Sequence, residues 1–451
     1  MNRKVIYTTI VAAIAGVLFG FDTAVISGTI PYVTKHFSLE PALVGWFVSS
    51  ALVGSILGVS FSGLASDKFG RKNMLIISAV GFLLSALGCS ISNGFTELII
   101  YRMLGGIAIG LASMVAPLYI SEISPKKYRG RLVTVYQLCI TMGILLAYFS
   151  NSFIQFQEVD FKGIFSGIEG DGLWRTMFFV EVVPAFIFLI GLIFVSKSPQ
   201  WLMLRGEAEQ ARELSNSLGI ESPTLTDDES NKVSLSELVK GNLKKPMGIA
   251  VFLMLFSQLC GINAIIYYGP SILAEAGLSL GDSLGGQVSI GIVNMLFTIF
   301  AILFVDRWGR KPLLTLGALG VTFALLTTGM LFQLGVDSGY SIVGTIILFI
   351  ACYAFSLGPI QFVVASEIFP LKFRAKAMSV CTMMLWVANA IVGQVFPILL
   401  DSAGPAITFF IFGGIGIPAV YIILKFIPET KGKSFEEIQK MWNKNHISQK
   451  I

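Results

Sequence analysis

SEISPKKYRG, residues 121–130, returns as SEIFPLKFRA at 366–375, with six identical positions and Tyr128 answered by Phe373. A second pair, SDKFGRK (66–72) and VDRWGRK (305–311), recurs in the same order. Each motif sits between long apolar runs, at the same place in its half of the chain. Two motifs recurring in register mark a parallel duplication, two halves related by an axis along the membrane normal.

The composition says which solvent these halves face. The 451 residues are 54% hydrophobic and 13% charged, with mean hydropathy +0.77. A soluble domain runs at about 25% charged, so this is an integral membrane protein. A bilayer core needs about 20 apolar residues per helix. Twelve such runs appear, near 5–33, 41–66, 72–91, 94–120, 131–155, 174–196, 247–275, 283–305, 312–334, 340–366, 375–400 and 405–427. The first, from Val5, is too long for a signal peptide and lacks a cleavage site, so it reads as a retained span.

The expected fold is therefore all-α: twelve transmembrane helices in two pseudo-symmetric six-helix bundles, with a cytoplasmic helical linker. The bundles cover residues 1–198 and 247–430. The polar stretch 199–246 is the linker, and 431–451 is a tail helix, opened by Ser434 and Glu437 as a capping box.

Charge gives the orientation. One set of short connections carries Lys68, Arg71, Lys72, Lys126, Lys127, Arg129, Arg131, Arg307, Arg310, Lys311, Lys372, Arg374 and Lys376. The other set carries Glu40, Glu158, Asp160, Glu169, Asp171, Asp337 and Asp401. The positive-inside rule puts the basic set, and with it both termini, in the cytoplasm. The plasma (inner) membrane is the expected location.

Several function classes drop out. The two histidines, His36 and His446, fall outside the runs, which excludes a histidine proton relay within the membrane. Five cysteines lie in apolar runs without a CxxC pair, so neither disulfides nor a metal site is expected. KGKS (431–434) ends like a P-loop, but Ile427 stands where the first glycine belongs. No catalytic constellation, cofactor or nucleic-acid partner is expected.

Charges inside spans are costly and mark pathways or relays by default. Asp22, within LFGFDTAVISG (18–28), lies roughly 22 Å from the inner end of the first span. Arg102 and Glu181 each lie about seven residues, roughly 10 Å, below the outer ends of the fourth and sixth. The three therefore reach a similar depth, where an arginine between two carboxylates can satisfy itself away from water. This is either a structural ion cluster or a site whose proton affinity changes with conformation.

The second half offers neutral groups instead: Gln258, Asn263, Tyr267, Tyr268, Asn294, Gln361, Trp386, Asn389 and Gln394, with Gln137 and Thr23 from the first half. Amides both donate to and accept from vicinal hydroxyls, and an indole face stacks on a sugar's C–H surface. An uncharged polyhydroxyl ligand suits the set, although single amides also serve as interhelical ties.

At the cytoplasmic turns, Asp67 and Asp306 can cap a helix or pair with Arg71 and Arg310, while Glu122 and Glu367 can pair with Arg129 and Arg374. These eight residues form either a charge latch that holds the halves together when the inside is closed, or a topology signal only.

The pieces GLASDKFGRK (63–72), YRMLGGIAIGLASMVAPLYISEISPKKYRGRLV (101–133), SQLCGINAIIYYGPSI (257–272), VDRWGRKPL (305–313), SEIFPLKFRAKA (366–377) and PETKGKS (428–434), in this order, resemble the sugar porter branch of the major facilitator superfamily. That branch includes bacterial proton-coupled monosaccharide symporters and facilitative glucose transporters. The resemblance spans essentially the whole chain. It implies import of a hexose or pentose, such as glucose or xylose, by proton symport through alternating access. It implies Asp22, Arg102 and Glu181 as the proton-coupling group, since symporters keep an acid at the place of Asp22 where uniporters commonly have an amide. It implies Gln137, Gln258, Asn263, Tyr268, Asn294 and Trp386 as sugar-binding residues. A monomer in the bilayer, with a monosaccharide and a proton as its ligands, is expected. A transporter of another polyol such as inositol, or a non-transporting sensor, are the alternatives.

The chain departs from the family at four places. Ser257 and Leu385 replace amides, and Phe362 replaces a tryptophan. SKSPQWL (196–202) stands for PESPRWL, with Lys197 and Gln200 in place of an acid and an arginine. The last change weakens the expected gating role of that linker motif.

Overall fold

The computed structural model describes residues 2–159, 172–222, 235–238, 240–335, 339–431, 433 and 437. The expected tail helix from Ser434, and the acids Asp160, Glu169, Asp171 and Asp337, lie outside the described residues.

In lipid every backbone polar group must be satisfied within the segment, so apolar runs of this length become helices. In the first half these are α1 (Arg3–Phe37), α2 (Pro41–Phe69), α3 (Arg71–Ile91), α4 (Phe95–Ile123), α5 (Arg129–Phe156), and a sixth span made of α6 (Leu173–Val180) and α7 (Val182–Ile193). The linker contributes α8 (Pro199–Leu204), α9 (Ala208–Leu218) and α10 (Leu235–Leu238). The second half has α11 (Lys244–Leu259), α12 (Ile262–Glu275), α13 (Leu280–Trp308), α14 (Arg310–Gln333), α15 (Gly339–Ala354), α16 (Leu357–Glu367) and α17 (Leu371–Phe426). Eleven stretches among the described residues are long and apolar enough to cross a membrane. The last holds two spans, because the backbone leaves helical geometry at Gly404 (φ 77°) just before Pro405. The chain is thus an all-helical, multi-pass membrane protein with the expected twelve spans.

Local chemistry explains the ends and breaks. Asn2 caps α1 by accepting from the Lys4 N–H, and Ser279 caps α13. Gly70 (φ 89°) and Gly309 (φ 90°) make the two D-x-x-G-R-K turns, a backbone conformation that glycine adopts without penalty. The sixth span breaks at Glu181; Pro184 supplies no N–H for the Val180 carbonyl, which loosens the helix there.

The two halves repeat one packing scheme. In the first, α1 packs on α5, and α2 and α3 pack on α4; in the second, α11 packs on α17, and α13 and α14 pack on α15. Glycines allow the closest approaches: a Cβ on Gly20 would lie 2.0 Å from the Ile140 carbonyl oxygen, and one on Gly106 would lie 1.9 Å from that of Ala51.

Between halves, α2 meets α17, α5 meets α13 and α1 meets α12. The side-chain ties cluster toward the face away from the N-terminus. Ser49 donates to Gln394 Oε1 at 2.7 Å, Gln394 donates to the Ala42 carbonyl at 2.9 Å, and Tyr148 donates to the Ile266 carbonyl at 3.1 Å. That face is closed in this conformation.

Candidate functional site

Residue counting along the helices brings Asp22, Arg102 and Glu181 to one depth, and the structure brings their side chains together. Asp22 comes from the middle of α1, Arg102 from the second turn of α4, and Glu181 from the break between α6 and α7. They are 1%, 3% and 2% exposed. Arg102 donates to Asp22 in a buried ion pair, and Glu181 lies within electrostatic reach of both. The guanidinium also sits over the Phe178 ring, 5.8 Å from its centroid. Gly105 leaves room for the carboxylate, since a Cβ there would stand 2.9 Å from Asp22 Oδ2. Asp22 Oδ2, Arg102 Nε and Glu181 Oε1 have no hydrogen-bond partner among the described residues. Each of the three side chains thus keeps buried bonding capacity that the described residues do not use.

The expected sugar-binding residues line up on several helices: Gln137 on α5, Gln258 on α11, Asn263 on α12, Asn294 on α13 and Trp386 on α17. Asn263 donates to Gln258 Oε1 at 2.5 Å across the break in the seventh span, and Gln258 donates to Ser257 Oγ at 3.2 Å. Ser257, one of the departures, therefore still takes part in the polar cluster. Phe19 packs on Trp386 with ring centroids 5.6 Å apart, joining α1 to α17 across the halves. Nothing in the sequence marked Phe19, which reads as one more apolar residue in α1. It stands one turn from Asp22, so the aromatic pair and the charged triad share a helix.

Several of the neutral groups are engaged elsewhere. The Tyr268 hydroxyl donates to the Gly393 carbonyl at 2.6 Å, and its ring stacks on Phe396. In this conformation it ties α12 to α17, with its hydroxyl committed to backbone. Tyr267 donates to Asn389 Oδ1 at 3.1 Å and lies within electrostatic reach of Arg102 and Asp22 from the other half. Gln394 is the bridge to α2 described above.

The basic turns form two similar clusters, one in each half. Arg71, 5% exposed, donates through Nε to both Glu122 oxygens at 3.0 and 3.1 Å and through Nη1 to Asp67 Oδ1 at 2.9 Å. Arg310 donates to Glu367 at 2.9 Å. The expected Glu122–Arg129 pair does not form. Arg71 begins α3 at the tight turn and reaches the buried Glu122 first, while Arg129 begins α5 and is exposed. Arg374 does interact with Glu367. The side chain of Asp306 lies outside the described set. In this conformation the ion pairs of these residues run within each half.

Each cluster has a hydroxyl that sequence reasoning missed. Ser198 donates to Glu122, and Thr430 donates to Glu367 Oε2 at 2.6 Å. Trp201 also donates to the Asp67 carbonyl at 3.0 Å. The SKSPQWL motif therefore keeps its place at the turn despite its departures. In the second half Glu429 caps α14, accepting from the Arg310 and Lys311 N–H groups at 3.0 and 3.1 Å and from Lys431 at 2.8 Å. Burial works to raise its carboxyl, but these backbone donors together outweigh it and hold it below the usual carboxylate range. Lys197 stands where the first half would carry the equivalent acid, and α3 has no side-chain cap.

The family model described as Sugar (and other) transporter matches residues 8–442. The chain belongs to the sugar transporter family. Among curated relatives, this sugar transporter is 37% identical over 450 residues to the arabinose-proton symporter of Bacillus subtilis (strain 168), covering 98% of this chain and 95% of that one. It is 36% identical to the D-xylose-proton symporter of Escherichia coli (strain K12), covering 98% and 96%. Among solved structures, it resembles the inward open conformation of the xylose transporter XylE from E. coli, with a TM-score of 0.82, 34% identity, and coverage of 97% and 100%.

Proposed function

We propose that this sugar transporter imports a monosaccharide, a hexose or a pentose, together with a proton by alternating access. It works in the plasma membrane, as a monomer, with the basic face and both termini in the cytoplasm. The closed face is then the outer one, and the conformation described is inward-facing.

The observation that carries the proposal is the buried triad. With both carboxylates ionised beside one guanidinium it holds one net negative charge, and burial to 1–3% exposure opposes that count. One proton makes it neutral. Arg102 then has two acceptors to choose between: it pairs with Asp22 while Glu181 holds the proton, or turns to Glu181 while Asp22 holds it. The triad takes the proton when the outer face opens and α12 moves off α1. It keeps the proton while sealed and gives it up on the cytoplasmic side. Asp22 is the coupling acid, Arg102 its partner, and Glu181 the group that sets the balance.

The sugar acts on the triad through Trp386 and Phe19. A sugar stacked on Trp386 presses on Phe19, one turn from Asp22, so occupancy of the chamber acts on the ion pair through a single helix. Gln137, Gln258, Asn263 and Asn294 supply the donors and acceptors for its hydroxyls, and Tyr268 positions α12 against α17. The clusters around Arg71 and Arg310, with Asp67, Glu122, Arg129, Asp306, Glu367 and Arg374, latch the cytoplasmic side when it closes. Similarity to arabinose- and xylose-proton symporters supports this substrate class and this coupling.

The test is a panel of labelled pentoses, hexoses and inositol offered to proteoliposomes with and without a pH gradient. Accumulation of one monosaccharide only under the gradient supports the proposal. Uptake that ignores the gradient removes the coupling, and no uptake of any sugar or polyol removes the substrate class.

A further inference from the structure

Three cations at one corner of the basic face make no ion pair with the clusters above, although Lys197 Nζ lies over the Trp201 ring, 5.6 Å from its centroid. Arg3 and Lys4 open α1, and Lys197 follows the end of α7. All three are exposed, and none forms an ion pair among the described residues. Linker helix α9 folds over the same corner, where the Asn2 amide donates to the Ser217 carbonyl at 2.6 Å. Leu214 and Ser217 of α9 line both of two adjoining cavities. One, of about 460 Å³, is lined by Arg3, Lys4 and Tyr7; the other, of about 430 Å³, is lined by Lys197 and one acid, Glu213. Next to the cations runs an apolar strip of Ile6, Ile10, Ile193 and Phe194, from 38% to 73% exposed, on the ends of two membrane spans.

We propose that this corner is a binding site for an anionic phospholipid of the adjacent leaflet. Its headgroup phosphate sits among Arg3, Lys4 and Lys197, and its acyl chains lie along the apolar strip. Basic recesses between spans at this level bind acidic headgroups because each cation near the surface adds attraction that water screens only partly. The apolar strip argues for a lipid over a free anion, since a soluble phosphate would leave it unused. Because the site includes α9, the lipid ties the linker to the first and sixth spans. The proposal needs only the membrane embedding, so it stands or falls separately from sugar transport.

The experiment is a native mass spectrometry titration of the full chain in detergent with palmitoyl-oleoyl phosphatidylglycerol, and with the matching phosphatidylcholine as the neutral lipid. The combined variant Arg3→Gln, Lys4→Gln, Lys197→Gln should bind phosphatidylglycerol more weakly by roughly fivefold per cation, on the order of 100-fold in all. Lys197→Gln alone, at an exposed position, should lose roughly fivefold without a folding defect. Lys240→Gln, Lys244→Gln, Lys245→Gln removes the same charge elsewhere and should bind like the wild type. Equal losses in the two triple variants, or none in either, would overturn the site. Displacement of the lipid by millimolar inorganic phosphate would overturn its assignment to a lipid.

Discussion

Gly45 is the point where contact between the halves on the face away from the N-terminus can be broken by one side chain. It lies on α2 against α17, and a Cβ there would stand 2.4 Å from the Gln394 carbonyl oxygen and 2.9 Å from its Nε2. Neither neighbour yields easily, because one is backbone and the other is held by Ser49 and Ala42. Gly45→Leu should therefore separate α2 from α17 on this face. The two lost hydrogen bonds are worth about 0.5–1.5 kcal/mol each, and forcing a side chain into packed space costs about 1–3 kcal/mol. Together these disfavour the closed arrangement by at least about 2 kcal/mol, roughly 30-fold in population. The assay is pulsed electron resonance between spin labels at positions 43 and 398, whose native Leu43 and Ile398 are exposed at this face. The label distance should lengthen and uptake into proteoliposomes should fall. Gly63→Leu, on the same helix but with nothing within 4 Å of its added Cβ, should change neither. An unchanged distance distribution in Gly45→Leu would refute the closure argument.

Two more substitutions probe the other parts of the site. Glu429→Gln should lower the thermal unfolding temperature at neutral pH, because it removes the charge that caps α14. The Glu429 carboxyl is held below its unfolded value, so its stabilisation is complete above the unfolded pKa and is lost as pH falls through the folded one. The difference between wild type and variant should therefore shrink in acid; a difference that grows in acid would contradict the cap. Trp386→Ala should weaken sugar binding by roughly tenfold, about the worth of one lost aromatic contact. Equilibrium binding of the labelled sugar measures this, and unchanged affinity would remove Trp386 and its partner Phe19 from the chamber.

The large-scale order of this chain was readable because duplication and span length are properties of sequence. The repeated SEI-x-P motif gives two halves, and the alternation of Lys and Arg with acidic connections gives two faces. Counting 1.5 Å per residue was enough to level Asp22 with Arg102 and Glu181, because helices in lipid run nearly straight across it. What escaped were pairings chosen by tertiary geometry. Glu122 has Arg129 seven residues away in sequence, yet Arg71 reaches it from the neighbouring turn. Ser198 and Thr430 act on carboxylates 76 and 63 residues away, and Gln394 on Ser49 at a separation of 345. No local pattern encodes such contacts. Tyr268 adds a contact of the same kind, since its hydroxyl donates to the Gly393 carbonyl 125 residues away. The linker motif SKSPQWL lost an acid and an arginine, but its serine and tryptophan keep it at the turn.

Proton coupling through Asp22 is the claim on which the proposed transport cycle depends. Asp22→Asn keeps the size of the side chain and one acceptor for Arg102, but removes the charge and the ability to release a proton. In proteoliposomes loaded with the transported sugar, this variant should still exchange labelled sugar across the membrane while failing to accumulate it under an inward proton gradient. Accumulation at the wild-type level would make Asp22 a structural counter-ion of Arg102 and move the coupling site elsewhere.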